Sequence, residues 1–174
     1  MSAAFKQSRH LQRGAAALEM ALSLPILLIL LYGVVTFGGV FYTQQIVSRA
    51  ASDGARAVTF VPEPDEDTAV DYAPVLEEVV RSLVASVIVP SAVGGDFAAR
   101  KTWLMESAQT QIQVQPDLSC SGAAAAGRVS VTVRLPYNDT AGTRILPSID
   151  LPGFGVFETW MPDQLTACAT VQLI

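Results

Sequence analysis

The chain has 174 residues, enough for one domain, and 51% of them are hydrophobic, with a mean hydropathy of +0.39. This hydropathy is high for a soluble protein of that length and indicates that part of the chain lies in lipid. The formal net charge is −5, and 15 of the 16 acidic residues lie beyond residue 41. An acidic C-terminal region argues against nucleic-acid binding, which requires a basic surface.

The first 14 residues form a short leader with three basic residues and no acidic one. An almost wholly apolar stretch then runs from Met20 to Phe41, and no charged residue stands between Glu19 and Arg49. A bilayer core is crossed by about 20 helical residues, so this stretch predicts one transmembrane helix. Positive charge beside a span favours the cytoplasmic side. We therefore expect a cytoplasmic N-terminus and an exported C-terminal region.

Glu19 is the unusual residue of this segment, because it is a carboxylate at the head of an apolar helix. A charged group inside a membrane costs several kcal/mol, and such residues usually mark function. Gly14 ends the basic leader five positions earlier, within the sequence RGAAALEMALSLPILLILLYG. A carboxylate in the first turn of a helix also meets the positive end of the helix dipole.

This junction resembles that of the type IV prepilin class. The longer segment GAAALEMALSLPILLILLYGVVTFGGVFYTQQIVSRAASDGARAV is similar to the N-terminal signature of the TadE-like minor pseudopilins of Flp/Tad pili. Alanines surround the glutamate, Pro25 lies within LPILL, and a QQ…AASDGAR tail runs from Gln44 to Arg56. The resemblance implies cleavage between Gly14 and Ala15 by a prepilin peptidase.

The same resemblance implies a role and a set of partners. Glu19 would become the fifth mature residue and would set subunit docking by pairing with the new ammonium of Ala15 on a neighbouring subunit. The expected partners are the prepilin peptidase, other pilins and pseudopilins, the pilus assembly platform and the lipid bilayer. The expected location is the bacterial inner membrane, with possible incorporation into the pilus.

Two other functions fit parts of the sequence. A minor pseudopilin of a type II secretion system shares the peptidase site but usually has phenylalanine directly after the cut, where this chain has Ala15. A membrane-anchored binding module that never polymerises would leave Gly14 uncleaved and would not need Glu19.

The predicted fold class is α+β: a long N-terminal transmembrane helix, the pilin-like spine, followed by a small exported domain. We assign residues 15–60 to the transmembrane helix and its extension, because small and apolar residues from Ile46 to Val58 repeat at three and four positions. Residues 61–74, which include VPEPDEDTAVDYAP, predict an acidic linker.

Residues 75–174 form the predicted exported domain, with one or two helices and an antiparallel sheet. Pro74 opens a helix that stops before Pro90; its predicted apolar face comprises Leu76, Val79, Val80, Leu83, Val84, Val87 and Ile88. Asp96 can cap a second helix through about Ala108, although Trp103 to Met105 fits a strand equally well. Alternating segments that predict strands are 111–115, 128–135 and 165–173.

Both cysteines, Cys120 and Cys168, lie in the region predicted to be exported, where an oxidising compartment allows them to pair. A disulfide would staple the ends of the sheet, and two buried free thiols are the alternative. A Pro- and Gly-rich loop between the last two predicted strands carries Phe154, Phe157 and Trp160. These aromatic residues fit an interface or a lid on a small core.

Nothing in the sequence indicates an enzyme. The single histidine, His10, belongs to the leader, and we find no nucleophile elbow, phosphate-binding glycine loop or metal-ligand cluster. We therefore expect no cofactor and no metal, and the sequence predicts a structural and assembly protein.

Overall fold

The computed structural model of the chain describes residues 4–62, 70–90, 93–138, 142–143, 150–151, 155–156 and 161–173. The chain divides into two compact units, Met1–Gly38 and Gly39–Ile174. The architecture is α+β, as the sequence predicts: three helices come first in the chain and the strands follow.

Helix α1, Ala4–Val58, is 55 residues long and continues through Pro25. In the first unit its large apolar side chains, from Leu18 to Phe37, are 41–69% exposed. The segment Ala16–Val58 is long and apolar enough to cross a membrane. An exposed apolar helix near the N-terminus is typical of a membrane anchor or a signal.

In the second unit, α1 contributes one wall of the hydrophobic core. The predicted stripe is confirmed, because its members at three- and four-residue spacing are buried: Ile46, Val47, Ala50, Ala51, Ala55 and Val58. The stripe packs in one core cluster with residues of the second helix and of the sheet. The partner that such an apolar face requires is therefore the chain's own domain.

Helix α2, Ala73–Ser86, begins one residue before Pro74, and its first N–H is accepted by the Asp71 carboxylate at 2.9 Å. Its buried face is centred on Val75, Val79 and Leu83, which recur every four residues. The predicted apolar face is wrong at its ends: Leu76 is 38% exposed and Ile88 is 51% exposed. Leu76 flanks the buried face, and Ile88 lies beyond the end of the helix.

Helix α3, Phe97–Thr102, is capped by Asp96, whose carboxylate accepts the Ala99 N–H at 3.3 Å. A π-helical turn, Trp103–Ser107, follows directly. The strand alternative for 103–105 is wrong. A helical turn can bury the consecutive residues Trp103 and Leu104, whereas a strand would send them to opposite faces.

The main sheet is antiparallel and three-stranded, in the order β1-β2-β5. Strands β1 (Gln111–Leu118) and β5 (Gln164–Gln172) flank the long strand β2 (Ala124–Pro136). The inner face of β2 is fully buried and consists of alternating residues, Val129, Val131, Val133 and Leu135. The short strands β3 (Asp150–Leu151) and β4 (Gly155–Val156) pair separately.

A disulfide joins Cys120 to Cys168, with a Cα–Cα distance of 5.7 Å. Cys120 lies in the turn between β1 and β2, and Cys168 lies at the centre of β5, opposite Thr132 of β2. The bond therefore joins the turn to the middle of an outer strand. The prediction that it staples the ends of the sheet is wrong.

Candidate functional site on helix α1

The predicted cleavage and docking residues all lie within α1. Gly14 and Ala15 belong to its helical backbone, about one turn before Glu19. The Glu19 side chain is exposed and forms no hydrogen bond or ion pair with another residue whose side chain the structure describes.

Glu19 stands at one end of an extended apolar surface. Leu22 and Ile26, three and seven positions further along the same helix face, are 66% and 69% exposed. Its direct neighbours Leu18 and Met20 are equally open. The 29 residues after Glu19 carry no charge. A cationic partner for the Glu19 carboxylate must therefore come from outside this apolar segment.

The C-terminal part of α1 holds polar contacts that sequence reasoning missed. The Gln44 side-chain amide donates to the Thr166 carbonyl of β5 at 3.0 Å. The Asp53 carboxylate accepts the Ser82 hydroxyl of α2 at 2.7 Å. Both residues belong to the QQ…AASDGAR tail. Their position beside the apolar stripe was the sequence feature that could have predicted these contacts. This tail docks α1 onto the helix and sheet of its own domain.

Gly54 in the same tail allows close packing. A Cβ at this position would collide with Cγ2 of Val79 and would lie 3.0 Å from Cγ1 of Val131. Those two side chains belong to α2 and β2, and both are fully buried. At this glycine, α1 therefore lies too close to α2 and the sheet for a larger side chain to fit without a shift.

The structure describes some of the remaining predicted site residues and not others. The pairing of Cys120 with Cys168 is present in the structure. Phe154, Phe157 and Trp160 lie outside the described residues, so their role at an interface stays a prediction. Within the described ranges, no group of three or more His, Cys, Asp or Glu residues is arranged to hold a metal ion.

Comparison with known proteins gives one family. The family model described as TadE-like protein matches residues 14–56. This range begins at Gly14 and ends at Arg56, so it covers the exposed apolar surface around Glu19 and the domain-docking tail together. No curated protein and no solved structure matches the chain. The similarity expected from the sequence is confirmed over the matched range.

Proposed function

We propose that the chain, which matches the TadE-like family model over residues 14–56, is a minor pseudopilin in the assembly or priming of a Flp/Tad-type pilus. The family implies a role in Tad pilus biogenesis. The proposal adds peptidase processing, a membrane orientation and a docking residue. The observation that carries it is Glu19, a lone exposed carboxylate at the head of an apolar helix, five positions after Gly14.

Processing follows from the position of Gly14. The basic leader holds the N-terminus on the cytoplasmic side, so the bond between Gly14 and Ala15 lies where a cytoplasmic-face peptidase reaches it. Cleavage removes the three basic side chains of the leader and leaves a new N-terminal ammonium on Ala15. The mature chain then begins with an apolar helix that carries an amine and a carboxylate four residues apart.

Docking follows from the energy of charges in lipid. An unpaired carboxylate in the bilayer costs several kcal/mol, whereas a paired one is tolerated when its partner is close and well aligned. The ammonium of Ala15 on a neighbouring subunit supplies such a partner. Pairing fixes how far one helix slides along the next, so Glu19 sets the register of the helical assembly.

The second unit is then the exported domain. The acidic surplus and the disulfide both suit the outer side of the inner membrane, and the leader carries three basic residues and no acidic one, whereas Arg49 and Arg56 beyond the span are accompanied by Asp53. In this orientation the domain meets other pilins and pseudopilins, while α1 contacts the assembly platform in the bilayer. Surface attachment is the cellular process that this machinery would serve.

The test is the N-terminal sequence of the protein, by mass spectrometry, from membranes of cells with and without their prepilin peptidase. We expect a chain that starts at Ala15 only in the strain that has the peptidase. An intact leader in both strains contradicts processing and favours the non-polymerising anchored module. Cleavage together with pulldown of secretion pseudopilins, and no Tad pilins, would favour the type II secretion alternative.

A further inference from the structure

The outer face of the main sheet carries a polar cavity of about 360 Å³ under the turn between β1 and β2. The turn is held over the sheet by the disulfide from Cys120 to Cys168. We propose that this cavity is a binding site for an acidic saccharide, that is, a sugar ring bearing a carboxylate. The proposal concerns the domain alone and does not depend on pilus assembly.

The strand register brings the polar side chains of the cavity together. Gln113, Thr132 and Cys168 lie opposite one another in one row across the three strands. Arg134 and Thr166 are paired in the next row on the same face. Directly opposite side chains have Cβ atoms about 4.5–5.5 Å apart, so a ligand of one ring can contact both rows.

These polar groups are free to bind a ligand. The side chains of Gln113, Thr132 and Arg134 form no hydrogen bond or ion pair with any residue that the structure describes, and the same holds for Gln115 and Thr166. The turn covers this part of the sheet, so these groups line a recess and not an open sheet face. A covering turn and polar side chains without a partner among the described residues therefore occur together.

The turn between β1 and β2 is held in place before any ligand binds. The Ser119 hydroxyl donates to the Ala123 carbonyl at 2.9 Å and lies 2.8 Å from the Ser121 hydroxyl. Asp117, the acidic residue nearest in sequence, accepts the Gly127 N–H at 2.9 Å. The Asp117 carboxylate therefore has a hydrogen-bond partner within the hairpin. Because the turn is already ordered, less conformational entropy is lost when a ligand binds.

The chemistry of the lining selects the ligand class. Arg134 is its sole charged residue, and no carboxylate contributes to the lining among the residues that the structure describes. A guanidinium binds a planar carboxylate with two parallel hydrogen bonds. The glutamine amides and threonine hydroxyls both donate and accept, as ring hydroxyls require. The volume is at the lower end of the range for small-molecule sites, about 300–1,000 Å³.

The test uses the full chain in detergent micelles, with its disulfide intact, and trigalacturonic acid as the probe. Isothermal titration should show saturable binding that Arg134→Gln weakens at least about tenfold, because a hydrogen bond to a charged group contributes about 1.5–3 kcal/mol. The matched control is Arg128→Gln. Arg128 lies on the same strand and face, outside the cavity, and donates to Gln172 at 3.3 Å; its loss should leave binding unchanged.

Four results would overturn the proposal: no binding by the wild type, equal loss in the two arginine variants, equal affinity for a neutral galactose trimer, or complete competition by equimolar inorganic phosphate. The last result would reveal a simple anion site. If Arg134→Gln does not fold, Gln113→Leu provides the second variant, because it removes an amide from the neighbouring row of the cavity without changing the charge. Unaltered binding by a folded Gln113→Leu would also contradict the site.

Discussion

At Gly54, helix α1 lies so close to its neighbours that a methyl group does not fit. We expect Gly54→Ala to lower the free energy of unfolding by about 1–2 kcal/mol. Overpacking costs about 1–3 kcal/mol, and the better helix propensity of alanine returns up to about 1 kcal/mol. Chemical denaturation of the full chain in micelles, followed by tryptophan fluorescence, to which buried Trp103 contributes, measures the change.

Gly38→Ala is the matched control for that measurement. Gly38 is in the interior of the same helix, and a Cβ there would meet nothing within 4 Å. The expected stability is unchanged or slightly higher. An equal loss in both variants would show that helix α1 tolerates neither alanine, for a reason other than the close approach at Gly54.

The role proposed for Glu19 belongs to the same scale, because it depends on a single charge. We expect Glu19→Ala to insert into the membrane as well as the wild type, while its incorporation into pili falls at least about tenfold, since the ammonium of the neighbouring subunit loses a partner worth several kcal/mol in lipid. Quantitative immunoblotting of membranes and sheared pili compares the two. Leu22→Ala, on the same helix face, should incorporate normally; normal incorporation of Glu19→Ala would contradict the docking role.

Between elements, α1 and α2 are joined by the hydrogen bond from Ser82 to Asp53. Asp53 is only 29% exposed, whereas Arg49, its ion-pair partner at 3.9 Å, is 76% exposed and contributes little. We expect Ser82→Ala to cost about 1–2 kcal/mol, near the lower end for a bond to a charged acceptor. Ser86→Ala, in the same helix, should cost less than half of that in the same denaturation experiment.

The disulfide connects the β1–β2 turn to β5 across 48 residues of chain. Closing a loop of this length in the unfolded state is worth roughly 4 kcal/mol on a chain-entropy basis. The double variant Cys120→Ala, Cys168→Ala should therefore unfold at clearly lower denaturant. A reductant should have the same effect on the wild type and none on the variant; equal midpoints for wild type and variant would refute the contribution.

The elements were predictable where one periodicity dominated. The alternation in β2 and the three- and four-residue repeat in α1 identified both core faces, because each face is set by the chain's own period. The face of α2 was less certain, since apolar residues cover more than one side of it and only packing in the common core selects Val75 over Leu76. The segment 103–107 was undecided, because a short apolar run suits a helix or a strand.

For the whole molecule, the orientation in the membrane is the main consequence of the proposed function. In spheroplasts that lack the peptidase, protease added outside should digest the domain and spare an epitope tag placed before residue 6. The basic leader and the uncharged span together favour this arrangement. Digestion of the tag and protection of the domain would contradict the proposed orientation and indicate the opposite one. Lysed spheroplasts, in which both parts are digested, provide the control.

The candidate sites differ in how far the sequence could find them. Gly14 and Glu19 are separated by five positions in one helix, so their relation is visible along the chain. The cavity beside Arg134 is assembled from three strands and a turn that are distant in sequence. Its members appear as an ordinary polar sheet face until the register and the disulfide bring the turn over them.

The part of α1 from Ile46 to Val58 is a wall of the domain, and this limits how a membrane-anchored form of the protein would release its domain. A protease cut in the segment 61–74 breaks the chain between that wall and the rest of the domain, so any fragment that such a cut releases leaves the wall behind. The released fragment would expose Val79, Leu83 and Val131, which pack in one core cluster with α1. Shedding by such a cut would therefore yield an unfolded fragment and no soluble domain, so a functional release requires extraction of the whole helix.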